Sequence, residues 1–176
     1  MSRIEVWNGD ICDLEVDAIV APANMSLWMS TGVAGAIKRA GGDSIEFAAI
    51  RQAPIEPGGA IVTPAGTLAA RVVIHAVTLD RDRRTTASTL ENGVRSAMAR
   101  AREISVTSIA FPSLGSGVGG FQLEEGARIT VATVRDELGG SPSIGHVVFA
   151  LRGAVTYQAF SQALQEPTAV SGGKNG

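Results

Sequence analysis

Four glycines within six residues, at 115, 117, 119 and 120, constrain this chain more than any other feature. They follow a short apolar run, Ile109-Ala110-Phe111, that stops at Pro112, and Phe121 closes the loop. From Gln122 to Leu138 apolar residues then recur at helical spacing. A buried strand that ends in a glycine loop and feeds a helix is a phosphate cradle. Glycine lets the backbone approach an anion and aim N–H groups at it, and the helix N-terminus adds positive dipole. The plainer reading of the same residues is an ordinary glycine-rich surface loop.

The rest of the chain supplies partners for such a loop. Ile4 to Trp7 alternates like a half-buried strand and breaks at Asn8-Gly9-Asp10. Ala18-Ile19-Val20-Ala21 reads as a second, fully apolar strand ended by Pro22. Ala23 to Thr31 reads as a loop, yet it carries Met25, Leu27, Trp28 and Met29, so it either packs on the body or walls a pocket. Small residues from Gly32 to Ile37 open a helix that Gly41-Gly42 ends, and a second short helix spans Ile45 to Gln52. Gly59–Pro64 and Arg71–Val77 are two further strands. The charged run Thr78 to Arg84 reads as a solvated loop, and Thr86 or Ser88 starts a long helix with Leu90, Val94, Ala97, Met98 and Ala101 on one stripe. His146–Leu151 is the last strand and Val155–Leu164 the last helix, with Gly139-Gly140-Ser141-Pro142 breaking the helix before them. Strands that are apolar throughout and alternate with helices imply an α/β protein, a three-layer α/β/α sandwich. In such sheets ligands bind beyond the carboxyl ends of the strands, which places Asp10, Asn24 and the glycine loop on one rim.

Composition narrows the classes. At 176 residues the chain is read as one domain over 1–165, with 166–176 as a disordered tail of Pro, Ser, Gly and Lys. Hydrophobic residues make up 45% but aromatics only 5%, so the core is aliphatic. A net charge of −2 argues against a protein that tracks nucleic-acid backbones in general. The single cysteine, Cys12, excludes an internal disulfide framework. No apolar run approaches the ~20 residues of a membrane span, and the N-terminus lacks the shape of a signal peptide, so no membrane contact and a cytoplasmic location are expected. No His/Cys/Glu grouping has metal-ligand spacing, and neither a metal nor a cofactor is expected.

In chain order, several pieces resemble the macro domain family. They are Gly9-Asp10-Ile11, then Asp17-Ala18-Ile19-Val20 with Ala23-Asn24, then Gly32-Val33-Ala34-Gly35-Ala36-Ile37 with Ala40-Gly41-Gly42. Val73 to Val77 and Ala110 to Phe121 complete the set, which spans about residues 3 to 164. The resemblance implies a mixed central sheet and a cleft for ADP-ribose or an ADP-ribosylated macromolecule. It assigns Asp10 to the exocyclic amine of adenine with the Ile11 backbone beside it, a carboxylate being an acceptor suited to an amino group. It assigns the diphosphate to backbone N–H groups of Gly32, Val33, Ser116, Gly117, Val118, Gly119 and Gly120. Phe121 would pack on the distal ribose and Tyr157 on adenine. The residues alone leave plainer roles open: Asp10 as a turn or cap residue, Tyr157 as core, and His75 as a satisfied core histidine.

Whether the chain hydrolyses or only reads ADP-ribose is a separate question. In the best-known hydrolase branch two asparagines flank the Ala-Ala after the second strand and an aspartate follows in the next glycine loop. Here those positions are Ala21 and Ala34, and only Asn24 remains as a candidate catalytic residue. Substrate-assisted water attack, with Asn24 fixing the ribose, is the mechanism that stays available. Lys38 is the lysine nearest the pocket loops, and on its helix it is expected to face solvent. Two other classes compete. One is a non-catalytic interaction or structural domain that retains the fold, for which Leu27-Trp28-Met29 is a candidate homodimer contact. The other, a nicotinamide-dinucleotide enzyme, is disfavoured because the glycine loop follows the fifth strand rather than the first.

Overall fold

The computed structural model describes residues 2–140 and 143–167. The expected tail is therefore outside the described residues from 168 on, as are Ser141 and Pro142 of the expected helix break. Gly139 and Gly140 continue the helix before it.

Six strands form one sheet: β1 (Arg3–Asn8), β2 (Ala18–Ala23), β3 (Ala60–Pro64), β4 (Val72–Val77), β5 (Ser108–Phe111) and β6 (His146–Leu151). Their spatial order is β1-β6-β5-β2-β4-β3, parallel throughout except for the antiparallel edge pair β3–β4. The helices are α1 (Gly32–Gly41), α2 (Ser44–Ile50), α3 (Ala87–Glu103), α4 (Leu123–Gly140) and α5 (Ala154–Gln165). Alternation along the strands builds the layers. Val20, Ile74, Ile109, Phe111, Val147 and Phe149 share a core with the buried stripes of α3, α4 and α5. Their immediate neighbours Ile19, Val73, Ala110 and Val148 point the other way, against Ala34 and Ile37 of α1 and Ile45 of α2. The result is a three-layer α/β/α sandwich with a mixed sheet. The α3 stripe read from the sequence is fully buried, and Thr86 caps that helix with a reciprocal Thr86–Thr89 box.

Pro22 does not end β2. It registers with Ala76 of β4 and the strand runs on to Ala23. Proline is tolerated in a strand that has one flank free of ladder bonds, and β2 registers with β5 at Ala18 and Ile19 alone. At that end the two strands are tied: Asp17 Oδ2 accepts from Thr107 N at 2.8 Å, and Asp17 N donates to Ser108 Oγ at 2.8 Å. The Thr107 backbone hydrogen bond, together with the Thr107 hydroxyl and Ser108, outweighs burial and holds the Asp17 carboxyl below its ordinary value. Clamped at their amino ends and unpaired beyond Ile19, β2 and β5 open a wedge toward their carboxyl ends.

His75 is a satisfied core residue. It is 1% exposed, and its Nε2 lies 2.8 Å from Thr63 Oγ1. Burial pushes its pKa down to about 4, which keeps the ring neutral.

Candidate functional site

A cleft of about 470 Å³ opens over the wedge. All five parallel strands deliver residues to it: Gly9 and Asp10 after β1, Arg152 after β6, Pro112 and Ser113 after β5, Asn24 after β2, and Thr78 and Leu79 after β4. Because the strands are ordered, so is the cleft. Asp10 and Arg152 stand at the β1–β6 end, and Asn24, Trp28, Leu79 and Arg83 at the β2–β4 end.

Two lips flank the middle. One is the glycine loop. Gly115 and Gly120 adopt left-handed backbone, φ +81° and +66°. A Cβ on Gly119 would stand 2.1 Å from Thr85 Oγ1, so only glycine lets the loop lie on Thr85. The loop closes on itself through Gly120 N–H to Gly117 O (3.1 Å) and Phe121 N–H to Gly115 O (2.9 Å), and Thr85 N–H bonds Gly119 O (3.0 Å). The N–H groups of Ser116, Gly117, Val118 and Gly119 find no acceptor among the described residues. Four successive unengaged donors make an anion-binding nest.

The other lip is the start of α1 and the loop before it. The Thr31 side chain makes no capping bond, and the N–H groups of Gly32, Val33 and Ala34 also lack an acceptor among the described residues. These are the orphan donors of a helix N-terminus, with the positive end of the helix dipole behind them. Glu46, only 3% exposed, holds this lip from below: one carboxylate oxygen accepts Met29 N–H at 2.7 Å and the other accepts Lys38 Nζ at 2.8 Å. Burial raises the Glu46 carboxyl, and the Lys38 and Met29 hydrogen bonds more than offset that, so it titrates below its ordinary range. Lys38 is thus an anchor for a buried carboxylate, with 30% of its side chain still open to solvent as its helix position suggested.

Of the residues proposed from sequence, Asp10, Ile11, Asn24, Gly32, Val33, Ser116, Gly117, Val118 and Gly119 line the cleft. Three do not. Gly120 uses its N–H to close the loop. Phe121 packs on the core beside Leu90 and Gly126, the close of the loop having turned its ring inward. Tyr157 is half-buried on α5, one residue past Thr156, and one residue rotates a helix by about 100° away from the cleft. Asp10 serves two roles: Oδ1 caps the turn at Ile11–Asp13 by accepting Cys12 N–H at 2.9 Å, and Oδ2 lies 3.7 Å from Arg152 Nη1. Burial first, and then the hydrogen bond and charge of Asp10, push the Cys12 thiol up to about 12. The Asn24 amide is steered by its own loop, with Nδ2 3.4 Å from Trp28 O and Oδ1 accepting Ser26 Oγ at 2.8 Å.

Sequence reasoning passed over the cations. Arg39, Arg83 and Arg152 line the cleft against one carboxylate, Asp10, and no His, Lys, Cys or Tyr is among the lining residues. The loop from Thr78 to Arg84 is thus a wall of the cleft as well as a charged surface. Arg152 was open to the rule that picked out Asp10, since it directly follows a parallel strand. Among the described residues no cluster of His, Cys, Asp and Glu could hold a metal.

A sequence profile described as "Macro domain" matches residues 20–130, more than half of the chain. The chain belongs to the macro domain family. An uncharacterized Mycobacterium tuberculosis protein is 39% identical over 165 residues, covering 94% of this chain but 45% of that protein, so the chain spans about half the length of this relative. An O-acetyl-ADP-ribose deacetylase of Salmonella gallinarum is 40% identical over 141 residues, covering 77% of this chain and 79% of that one. Among solved structures, the Trypanosoma brucei macrodomain in complex with ADP-ribose superposes with a TM-score of 0.85 at 26% identity, covering 92% of this chain and 68% of that one.

Proposed function

We propose that this macro domain binds ADP-ribose, free or attached to another molecule, in the cleft between the glycine loop and α1. The observation that carries the reading is the pair of opposed donor sets, four N–H groups at 116–119 and three at 32–34, none with an acceptor among the described residues. Two facing donor sets suit a diphosphate, whose charge they neutralise with dipoles rather than ammonium groups. With the diphosphate in the middle, Asp10 takes the amino group of adenine at the β1–β6 end. The exposed Arg152 guanidinium supplies a flat face for the base in place of Tyr157. The distal ribose then lies toward Asn24. The T. brucei complex and the Salmonella relative support this choice of ligand.

Hydrolysis of an ADP-ribosyl linkage is the finer part of the proposal. No lining side chain near Asn24 can take a proton, Ala34 being a methyl and Ala21 buried in the sheet. A water would be oriented by a diphosphate oxygen, with Asn24 fixing the ribose. The lack of a base equally favours a second reading, a domain that binds ADP-ribose without cleaving it. Calorimetry with ADP-ribose, against AMP and ribose 5-phosphate, tests binding, and absence of heat at millimolar ADP-ribose overturns it. Release of ADP-ribose from mono-ADP-ribosylated protein, from mono-ADP-ribosylated nucleic acid and from O-acetyl-ADP-ribose tests cleavage. Inertness toward all three leaves the reader.

A further inference from the structure

We propose that Thr85 is a positioning residue for the anion that the glycine loop holds: its buried hydroxyl, idle in the free protein, donates to a loop carbonyl when the anion draws the loop's N–H groups outward. The inference deepens the ADP-ribose reading and rests on it.

The Thr85 side chain lies beneath the nest, clasped between two of its glycines. A Cβ on Gly115 would stand 2.7 Å from Thr85 Cγ2, and one on Gly119 would stand 2.1 Å from Thr85 Oγ1. The methyl thus faces Gly115 and the hydroxyl faces Gly119. The backbones are already joined there, Thr85 N–H donating to Gly119 O at 3.0 Å. Thr85 is 7% exposed, yet its Oγ1 has no hydrogen-bond partner among the described residues. A buried hydroxyl without a partner destabilises the fold, and a valine of the same shape would fill the place without that penalty. Packing therefore accounts for the methyl and leaves the hydroxyl without a role in the free protein.

A bound anion supplies the role. In a trans peptide the N–H and the C=O point in opposite directions, so a loop peptide that turns its N–H up toward a diphosphate turns its carbonyl down toward Thr85. The Val118–Gly119 peptide is the one in reach, because Oγ1 already lies against Gly119 and the Gly119 N–H is unengaged among the described residues. The loop has room to turn: a Cβ on Gly117 or on Gly120 would meet nothing within 4 Å, while the bond from Phe121 N–H to Gly115 O keeps the base of the loop closed. A hydroxyl that donates to the Val118 carbonyl polarises that peptide and strengthens the donor on its other side. Thr85 thus acts on the ligand through the nest, without touching it.

The test compares Thr85→Val and Thr85→Ser with the parent, by calorimetry with ADP-ribose and with ADP and by thermal melting without ligand. Thr85→Val should melt at or above the temperature of the parent and yet bind both ligands about three- to tenfold more weakly, the scale of one hydrogen bond. Thr85→Ser should bind like the parent, whatever the lost methyl does to its melting temperature. An equal loss for ADP and ADP-ribose puts the effect in the part the two ligands share, away from the distal ribose. Parent-like affinity in Thr85→Val overturns the proposal. So does a loss of affinity that comes with a lowered melting temperature, that spares ADP, or that Thr85→Ser shares. A parent protein that binds no ADP-ribose overturns the ADP-ribose reading itself, and the role of Thr85 with it.

Discussion

The two lips of the cleft present the same thing, unengaged backbone donors, by opposite means. The glycine loop is held by what its residues lack: Gly115 and Gly119 lie against Thr85 where a Cβ would collide. The α1 lip is held by side chains, with Leu27 and Met29 buried and Glu46 gripping Met29 N–H while Lys38 grips Glu46. A lip made of glycine can be broken by adding an atom, and a lip made of anchors by removing one. The first contains no titratable group between Ser113 and Phe121, whereas the second depends on a buried carboxylate.

That contrast can be broken in four ways, the largest first. Gly119→Ala should displace the loop from Thr85 and remove donors from the nest. Loss of one hydrogen bond to a charged group, about 1.5–3 kcal/mol, weakens ADP-ribose binding by about ten- to a hundredfold in calorimetry. Gly117→Ala, which meets nothing within 4 Å, should keep the melting temperature of the parent and is the control for loop shape. Glu46→Ala should cost about 1–3 kcal/mol in urea unfolding, the penalty for leaving Met29 N–H buried and unpaired, and should also weaken ADP-ribose. Unchanged affinity in that variant would sink the anchoring role.

Acid comes third. His75 has a folded pKa depressed to about 4, so the unfolded chain binds its proton first. Stability should fall as pH drops from about 6.5 toward 4, with a slope of up to about 1.4 kcal/mol per pH unit, and His75→Gln should flatten it. Glu46 acts in the same direction and lower down: its folded pKa lies below the ordinary 4.5, so its contribution is present above that value and is lost below it. Ligand binding should therefore fail in acid through the α1 lip, and a nest that loosened first would reverse the comparison. Smallest is Thr85→Val. Thr85 Oγ1 is buried without a hydrogen-bond partner among the described residues, so a change that keeps its shape should leave thermal stability unchanged or raise it by up to about 1 kcal/mol.

The difference between the lips also explains what could be read from sequence. Glycine after an apolar run announces itself, so the nest, Asp10 and the α1 start were legible as one rim, and strand alternation with the α3 stripe gave the layers. Glu46 and Lys38 look like any surface pair in a sequence, and only folding puts the carboxylate under Met29. Pro22 reads as a stop because sequence does not show that β2 has a free flank. Phe121 and Tyr157 lie outside the cleft lining, Phe121 through the inward close of its loop and Tyr157 through one residue's rotation of α5, and motif order carries neither. Arg39, Arg83 and Arg152 are scattered over 114 positions and converge only through strand order.

Strand order has one further consequence. Among the described residues β1 pairs with no strand but β6, Arg3 opposite His146 through Asn8 opposite Leu151. β1, the first of the six strands, thus has no partner until β6 exists, and contacts this distant in sequence are the slow ones to close. Asp10 is carried on the end of that first strand. The Asp10 end of the cleft is accordingly the last part to be assembled, after the nest and the α1 lip already have their strands, and a chain interrupted before residue 146 would carry the nest and the α1 lip without the strand that seats β1 and Asp10.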